Sequence, residues 1–492
     1  MSSLEPNLII LLGDNMYADK RKGVGQFTAA TPKDIENEYK KLTEDKTFIE
    51  MVKKVGGWDN MATTFDDHDY GINNGDKNYP YKLQSQQSFW DFNRVPAGSA
   101  VRRQNGVYSS KDFSIITNET VCESEGTENS TYCINQRRGS QFRYKVIMLD
   151  LRSNSGKVEF SSTSKRTENS EEGDFLGDEQ WAWLEYEFDS DVDLIIIGSS
   201  IQLLPTDKLT EETWGAYPTA RMRMLSLILN SKSPNVLVLS GDVHYAEVSK
   251  ATCTWKETTN SVVAVSDDAR SSSDSKGSSI LSDSINKTST LWELTSSGLT
   301  HTFSKASPFK MNRSSNNVVD PGHTIISDQF ARNMVMDNKD RFPTLKGFLY
   351  NIYQASFPAH YREQRYADHY QGFNFGVLDF NMEALDSNVD NPFQKVVSSV
   401  TFRAMDHHSQ AMITKNIPLK LRNNAKIIKQ MDVTRHDIMC SPLWGPVPMW
   451  RMSLTYIMVF FPILLLLIPF IFFLFICNYL MKSVLSYFKK VS

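Results

Sequence analysis

Three short apolar runs, each stopped by Gly or Asp, constrain this chain more than any other feature. Residues 8–12 (LIILL) run into Gly13-Asp14-Asn15-Met16-Tyr17. Residues 61–65 (MATTF) run into Asp66-Asp67-His68-Asp69, and residues 236–239 (VLVL) into Ser240-Gly241-Asp242-Val243-His244. Short apolar runs bounded in this way read as buried strands of an α/β sheet. Open α/β sheets bind ligands beyond the carboxyl ends of their strands. Carboxylates, a phenol and two imidazoles are therefore expected at one sheet edge, a ligand set that suits a metal rather than a core.

Other segments extend the α/β pattern. Residues 32–55 predict a helix, with Ile35, Tyr39, Leu42, Phe48, Met51 and Val52 at helical spacing. Residues 71–112 predict a long loop with short helices over the site. Residues 146–150 predict a strand ending in Asp150 and Arg152, residues 177–188 a helix, 193–198 a strand, and 219–229 a helix. Residues 254–290 turn polar and Ser-rich and read as a flexible insertion. Residues 373–380 read as a late strand, and 386–450 as further strands leading on.

The far end of the chain has a different character. Residues 454–476 (LTYIMVFFPILLLLIPFIFFLFI) carry no charge. At ~1.5 Å per residue they span roughly 35 Å, enough to cross a bilayer with some tilt. Lys482, Lys489 and Lys490 follow, so the positive-inside rule puts the tail in the cytosol and the large domain outside or in a lumen. Sequons at Asn118, Asn129, Asn286 and Asn312 agree with that side. Cys122 with Cys133, and Cys253 with Cys440, are candidate disulfides, and Cys477 falls in the apolar segment. Residues 1–7 do not read as a signal peptide. That leaves a tail-anchored cytosolic protein as a second topology, or an N-terminus that begins upstream. The organisation expected is a catalytic domain over 1–385, a membrane-proximal segment over 386–452, a transmembrane helix over 453–481 and a short basic tail over 482–492.

Several chemistries are excluded. The net charge is −4 and the sequence pI near 6.2, which offers no global basic field for nucleic acid. There is no G-x-S-x-G elbow, no P-loop and no G-x-G-x-x-G fingerprint. Hard metal ions bind two or more carboxylates with His, and two such ions side by side activate water and clamp a leaving oxygen.

The stretches GDNMYAD (13–19), TTFDDHDYGINNG (63–75), VIMLDLRS (146–153), GDEQWAWLE (177–185), SSIQLLP (199–205), SGDVHYAEVS (240–249), ELTSSGLTHT (293–302) and FNFGVLDF (373–380) carry a resemblance. In this order the sequence resembles the alkaline phosphatase D, or PhoD-like, metallophosphatases. The resemblance implies a metallophosphoesterase-type two-sheet α/β sandwich flanked by helices. It implies a dinuclear centre, Fe3+ with Ca2+ or another divalent ion, that hydrolyses phosphate esters by attack of a metal-bound hydroxide. Carried over, Asp14 would bridge the metals, Tyr17 would bind the ferric ion and Asp67 the second metal. His68 would stand near the leaving oxygen, and Asp242 and His244 would complete the set. The family also has an earlier strand ending in a Ser-Cys-type motif that nothing before Leu8 matches; a missing N-terminal piece and a degenerate site both remain open.

Further candidates carry equally good structural readings. Arg94, Arg102 and Arg103 are candidate phosphate clamps or structural arginines. Asn73 and Asn74 are candidates near the metals or simply turn residues. Trp214 and His301 are candidates for the cleft wall or for packing. A glycosylated binding ectodomain of the same fold is the non-catalytic alternative, and a lipid bilayer and a phosphate ester are the partners expected.

Overall fold

The computed structural model describes residues 4–23, 26–116, 119–124, 131–136, 141–156, 174–205, 212–262, 280–299, 363, 368–370, 372–384, 395–421 and 438–442. The contacts divide the chain into two units, and the described residues all fall in the first, residues 1–327 with 361–443. The apolar segment 454–476, His301 and the sequons at Asn118, Asn129 and Asn312 lie outside the described residues.

In chain order the elements are β1 (Ile9–Leu12), β2 (Lys20–Gly23), β3 (Gln26–Thr28), α1 (Pro32–Glu44), α2 (Lys46–Lys54), β4 (Met61–Thr64), α3 (Asp67–Tyr70) and α4 (Lys82–Phe92). Then come β5 (Ser109–Ile116), β6 (Glu119–Ser124), β7 (Thr131–Gln136), β8 (Gln141–Met148), α5 (Gly177–Phe188), β9 (Leu194–Ser199), α6 (Pro218–Leu229) and β10 (Val236–Ser240). The rest are strands: β11 (Ala246–Val262), β12 (Ile280–Ser296), β13 (His369–Tyr370), β14 (Asn374–Ala384), β15 (Lys395–Asp406), β16 (Ala411–Pro418) and β17 (Met439–Pro442).

The main sheet runs β13-β11-β12-β10-β9-β8-β5, with β17 also paired to β11. Its centre is parallel: β12 with β10, β10 with β9, and β9 with β8. Parallel strands buried on both faces read as continuous apolar runs, and β9 (LIIIGS) is buried at every position. Two smaller sheets, parallel β1-β4 and antiparallel β14-β15-β16, cover one face. Alternation divides β1 between two cores. Ile10 and Leu12 join Val146, Ile196 and Leu239 of the main sheet, while Ile9 and Leu11 join Ile35, Phe48 and Phe89 of α1, α2 and α4. On the opposite face of the main sheet, α5 and α6 pack through Trp181, Leu184, Met224 and Leu225. Helices, main sheet, smaller sheets and helices are stacked in turn, a mixed α/β fold.

Two sequence readings change. The single helix over 32–55 is two helices, because Asp45 takes an extended backbone and its carboxylate accepts from Phe48 N (2.8 Å), capping α2. The Ser-rich stretch is not loop throughout: β11 and β12 pair from Ala246↔Ser296 to Val262↔Ile280. A hairpin this long draws its order from cross-strand hydrogen bonds, which an apolar periodicity does not report. The further strands expected within 386–450 include β15 and β16, whose Val400, Phe402 and Ile417 lie in the core beneath the main sheet. Cys253 and Cys440 form a disulfide between β11 and β17. Cys122 stands opposite Cys133 in the β6-β7 ladder.

Candidate metal centre

The carboxyl ends of β1, β4 and β10 converge as their sequences imply. Backbone geometry directs their side chains. Gly13 turns with φ +100° at the end of β1, and Asp14 follows with φ 51°. Asp242 and His244, after β10, also have positive φ, at 67° and 55°. Left-handed backbone at three non-glycine residues costs energy, and such outliers concentrate at functional sites. β4 leads instead into the one-turn α3, which presents Asp67 and His68.

Two groups of side chains bring ligand atoms within 4.8 Å of one another: Asp14, Asp67 and His68, and Asp14, Asp66 and Asp242. Asp14 belongs to both. Tyr17 Oη donates to Asp14 Oδ2 (3.1 Å), and its ring lies against His68 with centroids 4.2 Å apart. The Tyr17 phenol is pushed well above its ordinary pKa by burial and by Asp14 and Asp67. Asp14 itself is raised well above the carboxylate range, first by burial and then by Asp67. His244 belongs to neither group; its amide donates to Ser297 Oγ (2.8 Å) at the end of β12.

Supporting contacts hold this arrangement. Asp19 Oδ1 lies 2.8 Å from His68 Nδ1, and Asn73 N donates to Asp19 Oδ2 (2.8 Å). Asn74 N donates to Asp67 Oδ2 (2.5 Å). Asp69 accepts from Asp66 N (2.5 Å) and from Asn15 Nδ2 (2.6 Å), tying the turn after β1 to the turn after β4. Burial and the neighbouring Asp66 push Asp69 up to about 8. Burial alone would lower the His68 pKa, but Asp67, Asp19 and Asp14 outweigh it and raise it to about 10.

Residues here fit metal ions. Asp14 Oδ1, Asp66 Oδ2 and Asp67 Oδ1 are buried with no hydrogen-bond partner. Buried polar atoms are nearly always satisfied, and bare carboxylate oxygens gathered in one place suit hard cations. Carboxylates, a phenol and an imidazole are oxygen and nitrogen donors of the kind such ions take.

The weaker candidates make the following contacts. Arg102 is tied to Asp91 (2.7 Å) and to Val95 O, and Arg103 reaches Gly98 O (3.4 Å), so both brace their own loop. Arg94 lies over the Trp58 ring at 5.7 Å from its centroid. Asn73 and Asn74 contribute backbone amides that orient Asp19 and Asp67. Trp214 is fully buried, packs on Phe175 and donates to Ser199 Oγ (3.0 Å). The arginine at the centre is Arg152, after β8, whose Nε is 2.6 Å from Asp66 Oδ1. Asp19, Asp66, Asp69 and Arg152 were missed as site residues. The only signal for them was position, since each closes or follows a strand-end stretch already singled out.

A layered sandwich with acidic side chains gathered at the carboxyl edge of its strands offers a site that hard metal ions could occupy. The family model described as PhoD-like phosphatase matches residues 1–307, more than half the length, and the chain belongs to that family. The family is one of phosphatases, and two acidic groups in this chain could hold metal ions. A solved structure titled "Structure of PhoD" is 12% identical, with a TM-score of 0.38, over 86% of this chain and 68% of that one. No curated protein sequence matches.

Proposed function

We propose that this chain hydrolyses phosphate esters at a dinuclear centre that Asp14, a member of both ligand groups, would help to hold. The observation that carries the reading is that Asp14 belongs to both ligand groups while the buried oxygens Asp14 Oδ1 and Asp67 Oδ1 have no partner. Asp14, Asp67, Asp242 and His244 would hold the metals with Tyr17, and Fe3+ with Ca2+ or another divalent ion suits a phenolate-carboxylate set. Bound metals of this kind supply an activated water and neutralise charge on the phosphoryl group.

The protein's own groups do the rest. Asp19 fixes the His68 ring through Nδ1 (2.8 Å) and favours its protonated form. A cationic imidazole held in this way donates a proton or a hydrogen bond to a departing alkoxide. The gathering of His68, Asp14 and Asp67 ligand atoms within 4.8 Å of one another supports a second role, as a ligand oriented by Asp19 in the carboxylate–histidine–metal manner. His68→Ala separates them. Turnover down by about 10²–10⁴-fold with metal content unchanged supports the donor role, and loss of an ion supports the ligand role.

The enzyme would be anchored by residues 454–476, with its catalytic domain extracellular or lumenal. The uncharged length of that segment, the lysines after it and the four sequons support this topology. Glycosidase treatment of the expressed protein should increase its mobility, and an unchanged band argues for the tail-anchored cytosolic form. For the chemistry, the test is hydrolysis of chromogenic phosphomonoesters and phosphodiesters by full-length protein in detergent, with metal content measured on the same sample. Bound metal without turnover of either substrate would leave a binding protein on this fold.

A further inference from the structure

Asp66 lies outside the ligand set that strand-end spacing suggests, yet its two oxygens are treated very differently. Oδ1 accepts from Arg152 Nε (2.6 Å) and from Ser200 Oγ (2.7 Å). Oδ2 is buried with no partner, and an Asp66 oxygen lies within 4.8 Å of ligand atoms of Asp14 and Asp242. A purely structural arginine–aspartate pair commonly closes as a fork, with two N–H groups on two oxygens. Here the fork is split: Arg152 gives Nε to Asp66 and Nη1 to Glu212 Oε2 (2.6 Å). Glu212 is held in turn by Tyr217 Oη (3.0 Å to Oε1), and Arg152 N donates to Asp150 Oδ1 (2.8 Å). Arg152 is only 2% exposed, so it does not meet substrate.

We propose that Asp66 is a metal ligand through Oδ2, and that Arg152 and Ser200 are positioning residues that occupy Oδ1 and turn the other oxygen toward the ion shared by Asp14 and Asp242. This rests on the metal reading of the site. The chain Tyr217–Glu212–Arg152–Asp66 locks the carboxylate rotation, and outer partners of this kind commonly change metal affinity by about 10–100-fold when removed.

Mn2+, a hard ion that accepts carboxylate ligands, serves as the probe. Full-length protein in detergent is stripped with chelator and titrated with Mn2+ by calorimetry, with electron paramagnetic resonance to detect coupled ions. Thermal unfolding of the stripped samples reports folding. The parent is expected to bind two Mn2+ and Asp66→Asn one. Ser200→Ala removes a single hydrogen bond and keeps Arg152 in place. It is expected to weaken one of the two sites about tenfold, with the melting point of the stripped chain little changed. Two parental sites in Asp66→Asn, or unchanged affinities in Ser200→Ala, would overturn the assignment while leaving the dinuclear reading intact. A parent that takes up no Mn2+ would overturn both.

Discussion

At the scale of single residues, the site stores strain where it needs direction. Asp242 holds φ at 67°, a conformation costing on the order of 1 kcal/mol or more for a non-glycine residue. Asp242→Gly removes that strain and one clustered carboxylate together. In the metal-free chain it should therefore keep or raise the melting temperature, while metal uptake and hydrolysis are lost. A melting point lowered by several degrees would contradict the strain argument. Gly13 poses the opposite case. It sits at φ +100°, and a Cβ there would lie 2.5 Å from Asp66 Cβ and 2.8 Å from Asp66 N. Gly13→Ala should destabilise the fold by at least about 1–3 kcal/mol and displace Asp66 as well. Denaturant unfolding with metal analysis checks both effects.

Among the elements, the long β11-β12 hairpin is the least expected from composition and carries the main cross-link. Cys253 on β11 is bonded to Cys440 on β17, 187 residues away in sequence. Closing a loop of that size restricts the unfolded chain, by about 2–5 kcal/mol in typical cases. Cys440→Ser should lower stability within that range, read as a shift of the urea midpoint relative to the oxidised parent. A midpoint equal to that of the parent would mean that the β-ladder alone holds β17. The α1–α2 break shows the same dependence on local chemistry. Asp45 ends one helix and caps the next, so two helices rather than one wrap the β1-β4 layer.

On the scale of the whole molecule, burying polar groups between layers makes stability depend on pH. Glu293 of β12 is fully buried and accepts from Leu203 N and Leu204 N, both at 2.7 Å. Burial outweighs those hydrogen bonds and pushes its pKa from 4.5 to about 7. The folded state therefore binds this proton more readily than the unfolded chain. Its contribution to stability falls as pH rises from about 4.5 to about 7 and stays at its lowest above that window. Glu293→Gln loses one acceptor at every pH but escapes the titration. Relative to the variant, the parent should lose stability across this window. A difference in unfolding midpoint that is constant from pH 4.5 to pH 7.5 would show that Glu293 does not titrate there.

The sequence alone was enough to locate β1, β4 and β10 and their acidic ends. An apolar run and the Gly or Asp that stops it are neighbours in the chain, so Asp14, Tyr17, Asp67, His68 and Asp242 were legible as one chemistry. Tertiary structure decided which other groups serve them. His68 meets Asp19 across 49 residues, Asp66 meets Arg152 across 86 and Ser200 across 134. No local pattern encodes such pairings, because they follow from the stacking of two sheets. The same holds for the arginines. Arg94, Arg102 and Arg152 look alike in sequence, and only the fold makes Arg152, buried beside Asp66, a partner of the carboxylates, while Arg102 braces its own loop and Arg94 stays exposed over the Trp58 ring.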